Sequence, residues 1–153
     1  MPASRRVRPV TARRRARELV LQGLYERQLA GSPDDAIAAS LMANPEFAHA
    51  DGPYFRELWR GVSGGYDQLL ATVAPKLDRK PGELAPIERA LLVIGTWELV
   101  HRLDIPYRVV IDEAVEVAKS YGGTDGHKFV NGVLDKLAGE VRAAEMRAPA
   151  NDE

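Results

Sequence analysis

Arginine is the residue type whose spacing in this chain most clearly indicates chemistry. Arg13, Arg14 and Arg17 lie within a window of five residues, and two of them are four positions apart. On a helix, their guanidinium groups would therefore fan over neighbouring turns. Positive charge near a helix N-terminus opposes the helix dipole and costs local stability. Guanidinium groups bind phosphate oxygens in pairs and stack on bases. The cluster therefore favours a polyanionic ligand such as a nucleic acid.

The distribution of charge along the chain points to the same ligand class. Residues 1–28 hold eight Arg against two Glu, a net charge of +6, whereas the other 125 residues hold 13 basic and 20 acidic residues, a net charge of −7. A basic segment on an acidic body indicates a polyanion for the segment and a basic partner for the body. A solvated, flexible tail without a ligand is the alternative.

A second candidate nucleic-acid site lies at the start of the last predicted helix. The apolar stripe of that helix leaves Lys128 and Phe129 on another side, and His127 precedes them in the first turn. An exposed Phe beside a Lys can provide a surface on which bases stack. The alternative is a Phe ring that packs against a neighbouring loop.

Two further residues are candidates for contact with a protein. Tyr25 lies off the apolar stripe of the first predicted helix, so its ring is expected to be partly exposed and could anchor a partner. Glu88 lies in the first turn of the fourth predicted helix, where it stabilises the helix dipole. That stabilisation could be its whole role, or the carboxylate could receive a basic partner.

The sequence gives little support to catalysis or to a metal site. It contains no cysteine, only three histidines, and no GxGxxG, GxxxxGK[ST] or HExxH motif. Glu113 and Glu116, together with Asp112, could suggest acid–base chemistry, but no Glu-x-x-His pattern faces them from another helix, so solvated carboxylates are the favoured interpretation. We expect no enzyme activity and no cofactor.

Neither a membrane span nor a secretory signal is predicted. The longest uncharged apolar stretch, from Ala90 to Trp97, is far shorter than the ~20 residues that a bilayer requires. The basic N-terminus has no apolar region behind it. We therefore expect a cytoplasmic protein.

Six helical patterns must position these residues. Helices are predicted at about 12–30, 33–44, 53–73, 86–102, 106–121 and 126–146. The apolar face of the first consists of Ala16, Leu19, Val20, Gly23 and Leu24. Candidate caps are Thr11 for the first helix, Ser32 for the second, Gly122–Gly123 for the end of the fifth and Asp125 for the sixth. Residues 109–111 could form a strand, but a single strand forms no sheet.

The predicted fold is all-α, with one helical domain over residues 11–146. Its N-terminal bundle covers 11–75 and its C-terminal bundle covers 83–146, on either side of a polar, proline-containing hinge over 75–82. Residues 1–10 are predicted to be a flexible basic arm, and 147–153 a disordered tail.

Three blocks of the chain resemble a known family. They are ARRRARELVLQGLYERQLAG (12–31), YFRELWRGV (54–62) and a long block over 87–137 that contains KFVNGVLDKL. These blocks are similar to those of NusB, a family of bacterial transcription antitermination factors, and the resemblance covers about residues 11–142. Two positions depart from the family pattern, because Asp112 stands where Asn is usual and Gly126 stands where Ser is usual.

The resemblance implies a single globular unit of two packed three-helix bundles with no catalytic activity. It also implies binding of single-stranded boxA RNA in nascent ribosomal RNA transcripts, together with the ribosomal protein NusE. The two proteins would help to assemble an antitermination complex with RNA polymerase and other Nus factors. Some family members form homodimers, and the sequence leaves that state open.

By position, the resemblance implies a role for each candidate residue. RNA contacts fall on Arg13, Arg14, Arg17, Lys128 and Phe129, and NusE contacts fall on Tyr25 and Glu88. NusB-like domains also precede an RNA methyltransferase, but these 153 residues hold no α/β cofactor domain, so we expect the factor alone. A protein-interaction module whose basic arm binds nucleic acid without selectivity is the competing hypothesis.

Overall fold

The structure is a computed structural model, and it describes residues 9–121 and 125–148 of the chain. Every regular element in these two stretches is a helix, which confirms the predicted all-α class. The α-helices are α1 (Pro9–Ala30), α2 (Asp34–Ala43), α3 (Gly52–Gly64), α4 (Tyr66–Val73), α5 (Pro86–His101), α6 (Tyr107–Tyr121), α7 (Gly126–Val141) and α8 (Ala143–Arg147). Short 3-10 turns lie at Pro45–His49, Ala74–Lys76 and Pro81–Glu83. Within the same stretches, no helix is both long enough and apolar enough to cross a membrane.

The described residues up to Gly64 form one compact unit, in which α2 and α3 pack against α1. Its buried core includes Ala16, Leu19, Val20, Leu24, Ile37, Leu41, Phe55, Leu58 and Val62. Gly23 allows the three helices to approach closely, because a Cβ there would lie 2.7 Å from Cζ3 of Trp59 and 2.8 Å from Cδ1 of Leu41. The predicted apolar face of the first helix is thereby confirmed.

The described residues from Gly65 onward form a second unit, in which α4, α6 and α7 pack against α5. All ten residues from Ala90 to Leu99 are buried, as expected for a helix that is apolar on nearly all sides. The centre of α5 lies close to α7, since a Cβ at Gly95 would lie 2.7 Å from Cδ1 of Leu134. The helix with no polar face is thus the core of this unit.

The predicted third helix is in fact two helices. α3 ends at Gly64, Gly65 occupies the N-cap position, and α4 begins at Tyr66. Because α4 packs on α5, the chain divides between Gly64 and Gly65 and not in the predicted hinge over 75–82. Two consecutive glycines have low helix propensity and permit the break, although the apolar stripe continues through it.

Several helix ends differ from the prediction. α1 begins at Pro9, so Thr11 lies inside the helix and is not its cap. Proline is favoured at a first helical position because its φ angle is already helical. Pro33, and not Ser32, is the N-cap of α2. Asp125 occupies the predicted N-cap position of α7, but its side chain makes no capping hydrogen bond there.

The remaining terminal predictions fall largely outside the described residues. This applies to residues 1–8 of the predicted arm, to the cap at Gly122–Gly123, and to residues 149–153 of the predicted tail. Within the described part, Arg147 is the last residue of α8 and not the start of a tail.

Buried Arg142 connects the junction of α7 and α8 to the end of α5. Its Nε donates to the carbonyl of Leu99 at 2.8 Å, its Nη1 to that of Ile105 at 3.0 Å, and its Nη2 to that of Arg102 at 2.9 Å. The last carbonyls of a helix lack partners within the helix. Arg142 supplies those partners and so fixes the turn between α5 and α6.

Replacing Gly23 by Ala is expected to destabilise the first unit. The new methyl group would overlap Trp59 and Leu41, and overpacking of this kind costs about 1–3 kcal/mol of unfolding free energy. Gly64→Ala is the matched control, because no described atom lies within 4 Å of its added Cβ. Urea unfolding followed by circular dichroism measures both variants. A Gly23→Ala chain as stable as the unchanged one would contradict the packing described for α1.

Candidate nucleic-acid interface

The first arginine cluster lies on α1, where it faces the start of α3. The Nε of Arg13 lies 3.5 Å from Oδ2 of Asp51, and its guanidinium carbon lies 4.6 Å from the centre of the Tyr54 ring. The guanidinium carbon of Arg17 lies 5.5 Å from the same ring centre. The negative face of an aromatic ring attracts cations. Tyr54 therefore holds two of the three arginines together despite their like charge.

Burial separates the members of this cluster. Arg17 is only 3% exposed, whereas Arg13 and Arg14 are partly exposed. A side chain as buried as that of Arg17 cannot reach a ligand unless it moves. RNA contact by Arg13, Arg14 and Arg17 stays a prediction, and for Arg17 it requires the side chain to move. Arg13 and Arg14 are accessible, and Arg17 supports Tyr54 from within the unit.

Acidic residues surround the cluster and offset part of its charge. Oε1 of Glu46 lies 3.3 Å from Nη1 of Arg15. Asp51 has two roles, because it pairs with Arg13 and its Oδ1 also accepts a hydrogen bond from the backbone N–H of Tyr54 at 3.0 Å. Sequence reasoning did not single out Tyr54. Its position in the sequence gave one signal, because Tyr54 directly follows the helix-start pattern at 51–53 and precedes the apolar stripe that begins at Phe55.

The second candidate site lies in the first turn of α7. Lys128 is well exposed, with 74% of its side chain accessible, and its Nζ lies 3.6 Å from Oδ1 of Asp125. Phe129 is half-buried, and the guanidinium carbon of Arg79 lies 4.4 Å from the centre of its ring. Of the two alternatives for Phe129, the structure therefore favours packing against a neighbouring loop. That loop residue is Arg79, a cation that the sequence analysis did not assign to this site.

Asp78 holds the Arg79 guanidinium in place over the ring. Nε of Arg79 donates to Oδ1 of Asp78 at 2.8 Å, and Nη2 donates to Oδ2 at 3.4 Å. The hydrogen bond from Arg79 lowers the pKa of Asp78 below its ordinary value. The same hydrogen bond, and to a smaller extent the carboxylates of Glu88 and Glu83, raise the pKa of Arg79. Both groups are therefore charged at neutral pH.

Glu88 lies where the first turns of α5 and α7 meet. Its Oε2 would lie 2.9 Å from a Cβ at Gly126. Gly95 and Leu134 form the next close contact, seven residues further along α5 and eight further along α7. The two helices therefore run in parallel, and their N-termini lie side by side. The Glu88 carboxylate stabilises both positive helix ends, in agreement with its predicted effect on the helix dipole.

Tyr25 lies on the exposed side of α1. It is 40% exposed, which confirms the predicted partial exposure, and Leu29, four positions further along the helix, is 61% exposed. Side chains at this spacing are neighbours on a helix surface. The two residues form a small apolar surface in the first unit. A role in partner binding stays a prediction for Tyr25 and for Glu88.

Two clefts in the described part of the chain hold no group of metal-ligating side chains. A polar cleft of about 230 Å³ between α6 and α7 is lined by Tyr107, Arg108, Ile111, Asp112, Asn131 and Asp135. A groove of about 330 Å³ lies between α2 and α3. Within residues 9–121 and 125–148, no three His, Asp or Glu side chains are grouped so that they could hold a metal ion. Glu116 is exposed as predicted, but Glu113 is buried, which corrects its interpretation as a solvated carboxylate.

The described fold and site define an all-helical protein with two partly exposed clusters of cations and aromatic rings. A family model described as the NusB family matches residues 14–139. The transcription antitermination protein NusB of Thiobacillus denitrificans is 52% identical over 135 residues, which covers 88% of this chain and 93% of that protein. The chain belongs to the NusB family.

Solved structures agree with this assignment. The structure of T. maritima NusB has a TM-score of 0.74 and 30% sequence identity, and the match covers 83% of this chain and 90% of that one. A structure of the antitermination factors NusB and NusE in complex with double-stranded RNA has a TM-score of 0.69 and 22% identity, over 81% of this chain and 93% of that one. At that identity, the second match shows a shared fold alone.

Replacing Gly126 by Ser is expected to be better tolerated than replacing it by Ala. Both add a Cβ beside the Glu88 carboxylate, which can shift because it ends a flexible side chain. Only Ser can donate a hydrogen bond to that carboxylate, which stabilises the folded state by about 1 kcal/mol.

Thermal unfolding of both variants, in the presence of Glu88 and in a Glu88→Ala background, measures this difference. The advantage of Ser over Ala should disappear once Glu88 is removed. An Ala variant more stable than the Ser variant while Glu88 is present would contradict the contact.

Proposed function

We propose that this chain is a transcription antitermination factor that binds boxA-type single-stranded RNA together with the ribosomal protein NusE. The complex would help to assemble an antitermination machinery on RNA polymerase with other Nus factors, in the cytoplasm and without catalysis by this chain. Membership of the NusB family and the name of the 52%-identical relative support the activity. The two classes of partner in the proposal, an RNA and NusE, are those named for the solved complex that shares this fold.

The observation that carries the RNA-binding part of the proposal is the accessible pair Arg13 and Arg14, of which Arg13 lies over the Tyr54 ring. Both arginines are partly exposed, and the ring of Tyr54 keeps Arg13 close to the surface of α1. Charged side chains of this kind attract phosphates without regard to sequence and release bound counterions. They would supply affinity that falls as the salt concentration rises.

Selection among RNA sequences is assigned to the second cluster. Lys128 extends into solvent next to Phe129, at the start of α7. Proteins choose single-stranded RNA sequences through stacking on planar groups and through hydrogen bonds to base edges. The Phe129 ring and the Arg79 guanidinium over it are planar groups on which a base can stack. The first cluster presents fewer such planar groups.

The NusE surface is assigned to Tyr25 in the first unit and to Glu88 in the second. Tyr25 and Leu29 provide an exposed apolar surface, and exposed Tyr residues are frequent anchors of protein interfaces. Glu88 is half-buried against Gly126, so a basic partner would contact the edge of its carboxylate. A second copy of this chain would compete for the Tyr25 surface if it forms a homodimer.

Arg14→Ala is expected to weaken the binding of all single-stranded RNAs by similar factors, because a phosphate contact is blind to sequence. The slope of log K against log[salt] should become less steep by about 0.7, the value for one neutralised phosphate on a single strand. Fluorescence anisotropy with boxA-type and scrambled RNA, at several salt concentrations and with NusE present, provides the measurement.

Arg60→Ala is the control for Arg14→Ala, because Arg60 is an exposed arginine of the same unit outside the cluster. Equal losses in the two variants would mean that only total charge matters. Equal affinity of the unchanged protein for boxA-type RNA, scrambled RNA and DNA, unaffected by NusE, would favour the competing module that binds nucleic acid without selectivity.

Tyr25→Ala is expected to weaken the binding of NusE by at least ten-fold and to leave binding of RNA alone unchanged. Loss of a buried aromatic anchor at an interface costs about 2 kcal/mol or more. Tyr121 gives a matched control, because it is a tyrosine of similar exposure on another helix. Isothermal titration with NusE measures both variants. Retention of full affinity by Tyr25→Ala would remove Tyr25 from the interface.

A further inference from the structure

Arg79 is held on two sides by residues of the second unit. Its guanidinium carbon lies 4.4 Å from the centre of the Phe129 ring. One edge, formed by Nε and Nη2, is hydrogen-bonded to Asp78. Within the described residues, Nη1 makes no hydrogen bond or ion pair, and 41% of the side chain is exposed. The Nη1 edge of the guanidinium therefore has no partner in the described part of the protein, and the side chain is accessible to a ligand.

The geometry makes Arg79 a better stacking surface than Phe129 itself. Phe129 is half-buried, and Arg79 covers its ring. A guanidinium plane can hold a nucleic-acid base on one side while its other side rests on an aromatic ring. Asp78 restricts rotation of the plane, so less conformational freedom is lost when a base binds.

The electrostatic surroundings of Arg79 indicate a short-range contact. The carboxylates of Asp78, Glu88 and Glu83 all interact with its charge. Three nearby negative charges offset the long-range attraction that a lone arginine would exert on phosphates. Stacking and hydrogen bonds from Nη1 act at contact distance and are not cancelled in this way.

We infer that Arg79 is the residue on which a base of the bound RNA stacks, with Phe129 as its support and Asp78 as the residue that orients it. This inference rests on the proposed RNA-binding function and extends it to a residue outside both sequence-predicted clusters. The chemical class recognised is an unpaired nucleobase, and the free edge of Arg79 adds donors for an acceptor on that base.

Substitutions at Arg79 distinguish stacking from attraction of phosphate. Arg79→Ala is expected to weaken boxA-type RNA by about 5- to 100-fold, which corresponds to the loss of one stacked base. Arg79→Lys keeps the charge but has no plane, so it should bind almost as weakly as the Ala variant. Both variants should retain the salt dependence of the unchanged protein. A phosphate contact would instead be rescued by Lys, and its removal would change the slope by about 0.7.

Two further measurements test the arrangement directly. Fluorescence of 2-aminopurine placed at successive positions of the RNA should be quenched on binding at one position, and Arg79→Ala should abolish that quenching. The losses caused by Arg79→Ala and Phe129→Ala should not add in the double variant, because the ring acts through the guanidinium. Lys80→Ala is the matched control, since it removes an exposed adjacent cation and should change affinity little. Melting temperatures confirm that each variant is folded.

The possible outcomes separate this inference from the proposed function. If Arg14→Ala weakens RNA binding but Arg79→Ala does not, the inference is overturned and RNA binding stands. Full rescue by Arg79→Lys, or an equal loss in Lys80→Ala, would also overturn it. If the unchanged protein binds no RNA with NusE present, the proposed function itself fails.

Discussion

The close parallel contact between α5 and α7 is the constraint on which the second unit depends. α5 is buried on nearly all sides, so α7 can approach it only where a side chain is missing on one of the two helices. Gly126 and Gly95 provide those places, opposite Glu88 and Leu134. The contact brings two positive helix ends together, an arrangement that is unfavourable unless an anion lies between them. Glu88 is that anion, and its position also places a negative charge near Arg79, which covers Phe129.

The same combination of groups occurs in both units. Arg13 lies over the ring of Tyr54 with Asp51 beside its Nε, and Arg79 lies over the ring of Phe129 with Asp78 beside its Nε. In both, a carboxylate fixes the edge of the guanidinium and an aromatic ring supports its face. Charge alone would leave a long flexible cation at the surface. The ring and the carboxylate reduce the number of its conformations, which lowers the entropic cost of binding a ligand.

Structural features that depend on residues close together in the chain are predicted well from the sequence. Pro86 marks the start of α5, and the apolar run after it identifies the buried helix, because both signals are local. The burial of Arg17 and the position of Arg79 depend on contacts between residues distant in the chain. Arg17 resembles its neighbours in the arginine block but is buried in the structure, 5.5 Å from the centre of the Tyr54 ring. Likewise, the glycine pair at 64–65 gives a possible break, but only the packing of α4 on α5 decides that the chain divides there.

The hydrogen bonds of Arg142 impose an order on the folding of the nascent chain. All described residues of the first unit precede Gly65 and leave the ribosome early, and domains generally fold as units during synthesis. The end of α5 does not form independently in this way. The carbonyls of Leu99 and Ile105 accept hydrogen bonds from Arg142, which lies about 40 residues further along the chain. The second unit therefore reaches its final form only when α7 has been synthesised, and an mRNA truncated before codon 142 would yield a folded first unit attached to an incomplete second one.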